Sequence, residues 1–454
     1  MQPEDSRMFL PREIDEKTAS DPVSSVLVTA AHILAARNEY LVHLPVAEIV
    51  EILDHDIELW LEPDSSWLAA ASQRIAAVTP YCEGMVRAGL RRLLETCRKD
   101  AMLNLLQAEL GDLETLDAFR SRPDGRGLQR AVGPALTTHI FSGNVPGLPA
   151  ISLIRGYLIK SANLGKPSSE EPVFPALFVR SIAAVDPKLA AATAIFPWEG
   201  GDTAVEAAAF ATSEAVIAYG SDASIQQIRS RVPPGIRFVG HGHRISFAVV
   251  GHEVLAADSL PHLTEQIAYD VSLFDQQGCV SPHVIYVERG GVVPPEEFAQ
   301  RLAEAMEAFD RAMPRGQLTI EDTSTIQQVR TEAELGELQG EPVRLFQSSS
   351  GTAWTVIYEE DPTFVPSCLN RVVRVKSVTD IKEVSRLVRP ISRYLQTVGT
   401  AMAPERRDQL AEALAPLGVC RICPVGEMPH PPLDWHHDGG FSLLPLLRWT
   451  SIER

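Results

Sequence analysis

The amino-acid sequence predicts an α/β protein with a helical N-terminal region, and two observations carry that prediction. From about residue 131 onward, short apolar strands alternate with amphipathic helices, which is typical of βαβ units around a parallel sheet. Before that point the chain is rich in leucine at helical spacing, as in 85–97 and 101–110. The 454 residues are enough for two or three domains with cores of their own.

The alternating pattern divides the rest of the chain into two α/β blocks and a tail. The first block spans 131–240, the second spans 241–425, and the tail, 426–454, is rich in Pro, Trp and His. We expect the tail to close on the two blocks. The predicted strands are 137–141, 194–196, 215–219, 284–287 and 371–376, and the predicted helices are 150–157, 170–181, 203–212, 224–231 and 295–312. Ligands of parallel sheets bind at the carboxyl ends of the strands, so the turns that follow the strands are the candidate site.

The overall composition excludes several classes of protein. Hydrophobic residues make up 45% and charged residues 22%, as in ordinary globular proteins. The formal net charge of -18 argues against a nucleic-acid partner, because binding phosphates requires a basic face. No apolar run is long enough to predict a membrane span, and the first residues are acidic rather than a leader. Six cysteines do not make a disulfide framework, so we expect a cytoplasmic protein.

Cys279 lies in the most informative stretch of the chain. Gln277 and Gly278 precede it, Ser281 follows, and an apolar strand begins soon after. This arrangement predicts a sulfur on a turn at the mouth of a strand, within reach of a substrate carbonyl. A free cysteine alone is more often buried and inert, so its interpretation depends on the rest of the chain.

Four separated motifs, taken in order, resemble the aldehyde dehydrogenase superfamily. They are the strand-to-helix turn 142–146 with Asn144, the turn 166–172 that begins Lys-Pro-Ser-Ser, the pair Gly220-Ser221 and the run 277–279. The closer resemblance is to the long-chain acyl-CoA reductases of the LuxC family. It rests on Gly-Asn-Val-Pro-Gly, Lys-Pro-Ser-Ser, the segment around Cys279 and the late Asp-Trp-His-His-Asp-Gly at 434–439. It covers about residues 130–454.

The resemblance implies an aldehyde dehydrogenase-like fold, with a Rossmann-type NADP-binding domain at 131–240 and a catalytic domain at 241–425. It implies that Cys279 is the nucleophile. It also implies that the Asn144 amide and the Cys279 backbone N–H stabilise the tetrahedral oxyanion. The implied cofactor-binding residues are Gly143, Val145, Pro146, Lys166, Ser168, Ser169, Gly220, Ser221 and Gly242.

Ser169 is a departure from many NAD-using relatives, which carry a glutamate at this position. That carboxylate binds the ribose diol and repels a 2′-phosphate. Two serine hydroxyls in its place favour NADPH as the cofactor. Gly220-Ser221 at a helix start suits a pyrophosphate, although such a pair is also typical of a plain helix cap.

The reaction direction follows from a missing residue. Hydrolytic aldehyde dehydrogenases activate water with a glutamate, and the corresponding stretch 239–244 has no carboxylate. We therefore expect NADPH-dependent reduction of a long-chain acyl-CoA, or of an acyl thioester on a protein, to the aldehyde through an acyl-enzyme on Cys279. A short-chain acylating enzyme, a hydrolytic enzyme and a non-catalytic subunit of the same fold remain alternatives.

Other expectations concern bases, metals and partners. His241 or His243 is a candidate base. Cys420 and Cys423 with the downstream histidines suggest zinc, but the spacing is irregular and interrupted by prolines, so we expect no metal and a packed tail instead. The family resemblance implies an acyl-protein synthetase as a partner, and a homo-oligomer is expected. The helical residues 1–130 are a candidate docking surface.

Overall fold

The computed structural model describes residues 7–11 and 21–453, which form helices and three β-sheets. The α-helices are α1 (Pro22–Glu39), α2 (Val46–Leu61), α3 (Ser66–Ala76), α4 (Glu83–Glu95), α5 (Lys99–Leu110), α6 (Leu148–Leu158), α7 (Phe174–Val185), α8 (Pro187–Ala190), α9 (Thr203–Ala211), α10 (Asp222–Arg231), α11 (Leu260–Ser272), α12 (Pro295–Ala312), α13 (Ile320–Leu338), α14 (Val384–Val388) and α15 (Pro404–Leu414). The strands are β1 (Arg120–Ser121), β2 (Leu128–Val132), β3 (Leu136–Ile140), β4 (Ala162–Lys166), β5 (Thr193–Ile195), β6 (Ala215–Tyr219), β7 (Arg237–His241), β8 (Ile245–Val250), β9 (Pro282–Glu288), β10 (Val343–Gln347), β11 (Thr355–Glu359), β12 (Val372–Val378), β13 (Leu395–Ala401), β14 (Arg421–Pro424) and β15 (Arg448–Ile452).

Helices α1–α5 form the helical N-terminal part, and α2 lies at its centre. One face of α2 is apolar and fully buried, including Leu53, Ile57 and Trp60. The Trp60 indole N–H donates to the Ser181 hydroxyl of α7 at 2.7 Å. The same apolar core continues through α6 and α7 as far as Phe274. The helical part therefore shares its core with the rest of the protein.

The first α/β block folds as a five-stranded parallel sheet in the order β5-β4-β3-β6-β7. The chain runs outward from β3 to β5 and then returns to the other side of β3. The carboxyl ends of β3 and β6 therefore border a topological switch point, where open α/β sheets bind ligands. The predicted helix 170–181 is wrong at its start. It begins at Phe174, because the Glu171 carboxylate accepts the N–H groups of Val173 and Phe174 at 2.8 Å each.

The second block folds as a seven-stranded sheet in the order β10-β11-β12-β9-β8-β13-β14. All its neighbouring strands are parallel except the edge pair β10 and β11. Strand β9 lies near the middle and is buried along its whole length. The turn that contains Cys279 leads into β9 and so meets the amino edge of this sheet.

A three-stranded antiparallel sheet, β1-β2-β15, joins the end of the chain to its middle. The Glu109 carboxylate of α5 fixes the same tail by accepting the backbone N–H groups of Ser442, Leu443 and Leu444 at 2.7–2.9 Å. The boundaries at residues 130, 240 and 425 stay predictions. None of the described helices is long and apolar enough to cross a membrane.

Asp56 is a buried acid inside the helical part. It is 0% exposed, and neither carboxylate oxygen has a well-formed hydrogen bond among the described residues. The nearby Ser181 hydroxyl donates to the Phe178 carbonyl and accepts from Trp60, which leaves it only a weak interaction with Asp56. Burial raises the pKa of Asp56 from 3.8 to about 8, against that weak interaction.

This raised pKa predicts a pH dependence of stability. The folded protein keeps the Asp56 proton that the unfolded chain loses above pH 3.8, so stability falls as the pH rises from about 4 to 8. Asp56→Asn removes this slope and makes the protein more stable than wild type at pH 8, by about 1–3 kcal/mol. Urea unfolding at pH 5 and pH 8 measures the difference. Asp64→Asn, at an exposed acid after α2, is the control, and an equal slope in wild type and Asp56→Asn would contradict the prediction.

Candidate active site

The turn before Cys279 has an unusual backbone. Phe274, Asp275 and Gln276 have φ values of 49°, 52° and 66°, in the left-handed region that residues other than glycine rarely adopt. The facing loop repeats this at 369–371, where φ is 57–64°. Each run of three consecutive residues in this conformation is stable only where surrounding contacts hold it.

A buried ion pair supplies those contacts. The Arg371 guanidinium, 0% exposed, donates to the Asp275 carboxylate and to Asp310, both at 2.8 Å. The Gln276 side chain accepts the Val372 N–H at 3.0 Å and donates to the Pro282 carbonyl at 2.8 Å. The turn before Cys279 is therefore held against β12 and the start of β9.

Asn144 and Cys279 come together across the two sheets. The Asn144 side-chain amide, after β3, donates to the Gln277 carbonyl at 2.8 Å. Because a carboxamide carries two N–H donors, one remains for an oxyanion near Cys279. The Tyr81 hydroxyl donates to the Asn144 carbonyl at 2.6 Å, and the Ser246 hydroxyl donates to the Cys279 carbonyl at 2.7 Å.

Helix α4 packs directly on this site. A Cβ at Gly89 would lie 2.1 Å from the ring of Phe274, so only glycine leaves room for that ring. The Tyr81 ring meets the same phenylalanine edge-on, with 5.4 Å between centroids. The helical part therefore packs on the turn that leads to Cys279.

Asp438 brings a carboxylate from the tail to the same region. It accepts hydrogen bonds from His241 Nδ1 and Arg244 Nε at 2.8 Å each, and from the Gln396 amide at 3.1 Å. Burial opposes its ionisation, but the hydrogen bonds from His241 and Arg244 hold the pKa of Asp438 well below its usual range.

Aromatic rings stack beside that carboxylate. The order is Trp435, His437, His241 and Tyr219, with centroid distances of 4.9, 4.1 and 4.7 Å. Burial lowers the pKa of His437 to about 3, and the neighbouring His241 adds to this effect. His437 is therefore neutral near pH 7. His243, the other histidine predicted as a base, is exposed and packs edge-on against Tyr394 instead.

The Cys279 thiol lies near Asp438, Gln396 and Arg244. The residue keeps some exposed surface, but its sulfur lies deep enough that burial raises the pKa of the thiol to about 11. The Asp438 carboxylate raises it further, while the Gln396 amide and the Arg244 guanidinium oppose the shift. The resting residue is therefore a thiol near neutral pH.

The predicted cofactor residues fall into two groups at the carboxyl edge of the five-stranded sheet. Gly143, Val145, Pro146, Lys166, Ser168 and Ser169 follow β3 and β4. A Cβ at Gly143 would lie 2.7 Å from the Ser168 hydroxyl, so these two turns are in close contact. Burial lowers the pKa of the Lys166 ammonium, which has no ion-pair partner among the described residues.

The second group, Gly220, Ser221 and Gly242, follows β6 and β7. The Ser221 hydroxyl accepts the Ser224 N–H at 3.2 Å, so this residue is the N-cap of α10. Asp222 accepts the N–H of His243 at 2.8 Å, and a Cβ at Gly242 would lie 2.5 Å from its carboxylate. The roles of all these residues in binding a cofactor stay predictions.

Three side chains here have the donor types of a metal site: His241, His437 and Asp438. The two imidazole rings stack at 4.1 Å and 9°, so their in-plane lone pairs run parallel instead of converging on one ion. The Arg244 guanidinium also forms an ion pair with the Asp438 carboxylate. Cys423 packs in the apolar core, and His430 bonds to the Tyr269 hydroxyl at 2.7 Å, so those two do not share a ligand sphere.

Sequence reasoning missed several residues of the site. Asp438, Arg244, Gln396, Ser246 and Tyr81 come from distant parts of the chain, and Asp438 is 197 positions from His241. Only the motif at 434–439 gave a signal for any of them. The tail thus brings the Asp438 carboxylate against the stretch 239–244, which has no carboxylate of its own.

Comparison with known proteins now decides the family. The family described as acyl-CoA reductase (LuxC) matches residues 41–449, which is most of the chain. The chain belongs to the LuxC family. A long-chain acyl-protein thioester reductase of Vibrio harveyi is 24% identical over 422 residues, covering 92% of this chain and 84% of that protein. One from Photorhabdus luminescens is 26% identical, covering 79% and 72%.

Solved structures confirm the predicted aldehyde dehydrogenase-like fold of this LuxC protein. Lactaldehyde dehydrogenase from Escherichia coli superposes with a TM-score of 0.71 at 15% identity, covering 95% of this chain and 90% of that one. NADP-dependent glyceraldehyde-3-phosphate dehydrogenase from Bacillus halodurans, complexed with NADP, gives 0.69 at 14% identity, covering 94% and 91%.

The contact between α4 and Phe274 predicts the effect of a single methyl group. Gly89→Ala collides with the Phe274 ring, and such overpacking costs about 1–3 kcal/mol and displaces the turn before Cys279. We expect a lower midpoint of urea unfolding and a changed rate of Cys279 alkylation. Gly84→Ala is the matched control, since it lies in the same helix with nothing within 4 Å. Equal behaviour of the two variants would contradict the packing described.

Proposed function

We propose that this protein reduces a long-chain acyl thioester to the aldehyde through a covalent acyl-enzyme on Cys279, with NADPH as the reductant. The observation that carries the proposal is the contact of the Asn144 amide with the turn of Cys279. This contact supports the proposal because it brings a side-chain N–H donor to the turn that carries Cys279. The curated relatives are named long-chain acyl-protein thioester reductases, and family and fold support aldehyde-forming reduction of an acyl group.

The first half of the reaction uses only residues of this chain. The Cys279 sulfur attacks the thioester carbonyl carbon, and the carbonyl oxygen gains negative charge that the free Asn144 N–H and the Cys279 backbone N–H stabilise. The bond from the carbonyl carbon to the departing sulfur then breaks. The proton of the Cys279 thiol ends on the departing thiol, so charge and atoms balance.

The residues at the carboxyl edge of the five-stranded sheet fit a dinucleotide with a 2′-phosphate. Lys166 offers a half-buried cation without an ion-pair partner, Ser168 and Ser169 offer hydroxyl donors, and Ser221 caps the N-terminus of α10. NADPH, when bound, supplies the hydride that converts the acyl group to an aldehyde. Cys279 then leaves as the thiolate and takes up a proton from the solvent.

The state of Asp438 supports reduction over hydrolysis. Its carboxylate binds three donors, and its pKa is held well below the usual range. A carboxylate of that kind is a poor base for activating water. An acyl group on Cys279 therefore has time to be reduced. The immediate donor is acyl-CoA or an acyl-protein, for which an acyl-protein synthetase is the proposed partner.

Acylation of Cys279 tests the first half. Incubation with tetradecanoyl-CoA in the absence of NADPH should add one acyl group per chain, located on the peptide with Cys279 by mass spectrometry. Cys279→Ala should carry none, while Cys368→Ala, at another half-buried cysteine, should be labelled as wild type. Equal labelling of wild type and Cys279→Ala would refute the acyl-enzyme.

The charge at position 169 tests the cofactor. Ser169→Glu introduces a carboxylate that repels a 2′-phosphate, so KM for NADPH should rise about tenfold or more while KM for NADH changes little or falls. Ser169→Gln has the same length without the charge and serves as the control. Steady-state rates of aldehyde formation with both cofactors give the values. If KM for NADPH rises equally in both variants, the effect comes from the shape of the side chain and not from its charge.

A further inference from the structure

Asp438, in the tail of the chain, has an unfavourable backbone conformation. Asp438 has a φ of 56°, a left-handed conformation that costs a residue other than glycine some free energy. Its carboxylate nevertheless joins three elements of both large sheets, through His241 of β7, Arg244 of the loop before β8 and Gln396 of β13. A strained residue held by three donors indicates a position maintained for a purpose.

Cys279 is tied to the same elements. The Ser246 hydroxyl donates to the Cys279 carbonyl at 2.7 Å and accepts the Thr397 N–H at 3.1 Å. Ser246 lies two positions after Arg244, and Thr397 follows Gln396. The backbone of Cys279 is therefore bonded to the same two segments, 244–246 and 396–397, that hold the Asp438 carboxylate.

The charged and titratable groups near Cys279 and Asp438 come from several elements of the fold. Asp438 and His437 come from the tail, His241 from β7, and Arg244 from the loop after it. Cys420, before β14, shares the influence of Asp438 and Arg244. His437 is neutral near pH 7, and the charges that act on the Cys279 thiol are the Asp438 carboxylate and the Arg244 guanidinium.

We propose that Asp438 is a positioning residue that lowers the thiolate fraction of the Cys279 nucleophile beyond what burial alone does, and that Arg244 opposes this effect. The carboxylate disfavours a negative sulfur nearby, and the guanidinium favours it. The role rests on the proposed function only in taking Cys279 as the nucleophile. Its consequence is a resting cysteine that oxidants and alkylating agents attack slowly, because the thiolate is the reactive form.

Opposite substitutions give opposite results under this proposal. Asp438→Asn removes the negative charge and frees Arg244, so the thiol should ionise about one pH unit lower. Thiolates of lower pKa are also weaker nucleophiles, so alkylation at pH 8 should rise about threefold instead of tenfold. Arg244→Gln should slow it by about the same factor, and Arg244→Lys should restore the wild-type rate.

The measurement is the rate of iodoacetamide addition to Cys279 at several pH values, followed by mass spectrometry of its peptide in the intact protein. Asp434→Asn, in the same tail, is the matched control and should leave the rate unchanged. The Cys368 peptide in each sample reports general loosening of the fold. The proposal is overturned if the two charge variants change the rate in the same direction, or not at all.

This experiment is separate from the acylation test. A protein that accepts no acyl group on Cys279 but shows the two opposite shifts would refute the proposed function and keep the role of Asp438. Normal acylation without the two shifts in alkylation rate would keep the proposed function and refute the role of Asp438. The neutral alkylating agent avoids any direct effect of charge on its approach.

Discussion

The buried ion pair between Arg371 and Asp275 is the constraint on which the active-site geometry depends. Asp275 and Arg371 each lie within a run of residues in the left-handed backbone conformation, and neither run is stable by itself. Removing one partner of such a pair leaves an uncompensated buried charge, which typically costs 3–5 kcal/mol. The position of Cys279 is thus fixed by a contact between two loops that face each other across the amino edge of the seven-stranded sheet.

Two further parts of the chain complete the site from outside that sheet. Helix α4 and Tyr81 hold the turns of Phe274 and Asn144, and the tail delivers Asp438. The helical N-terminal part, for which the sequence suggested a docking role, is thus part of the structural support of the Cys279 turn. That finding leaves the docking role a prediction, but it gives α4 and Tyr81 a physical function within the chain.

The sequence allowed the fold to be predicted and put forward Asn144, Lys166 and Cys279 as site residues, because those features are local. Strands, helices and turn motifs occupy short windows, and Asn144, Lys166 and Cys279 lie in such windows. The start of α7 was misplaced, since a capping carboxylate three residues earlier ends the turn. Asp438, Gln396 and Tyr81 could not be predicted, because their roles depend on contacts across dozens to hundreds of residues, and local patterns do not encode those contacts.

The attachment of the tail also has a consequence for biosynthesis. Strand β15 pairs with β2, and Ser442 bonds to Glu109 across 333 positions of sequence. These contacts form only when nearly the whole chain has left the ribosome, and closing such distant contacts is slow. During synthesis Cys279 therefore exists without its carboxylate neighbour. A nascent chain, or one cut short before residue 438, exposes this sulfur to the chemistry of the cell without the electrostatic protection of the finished protein.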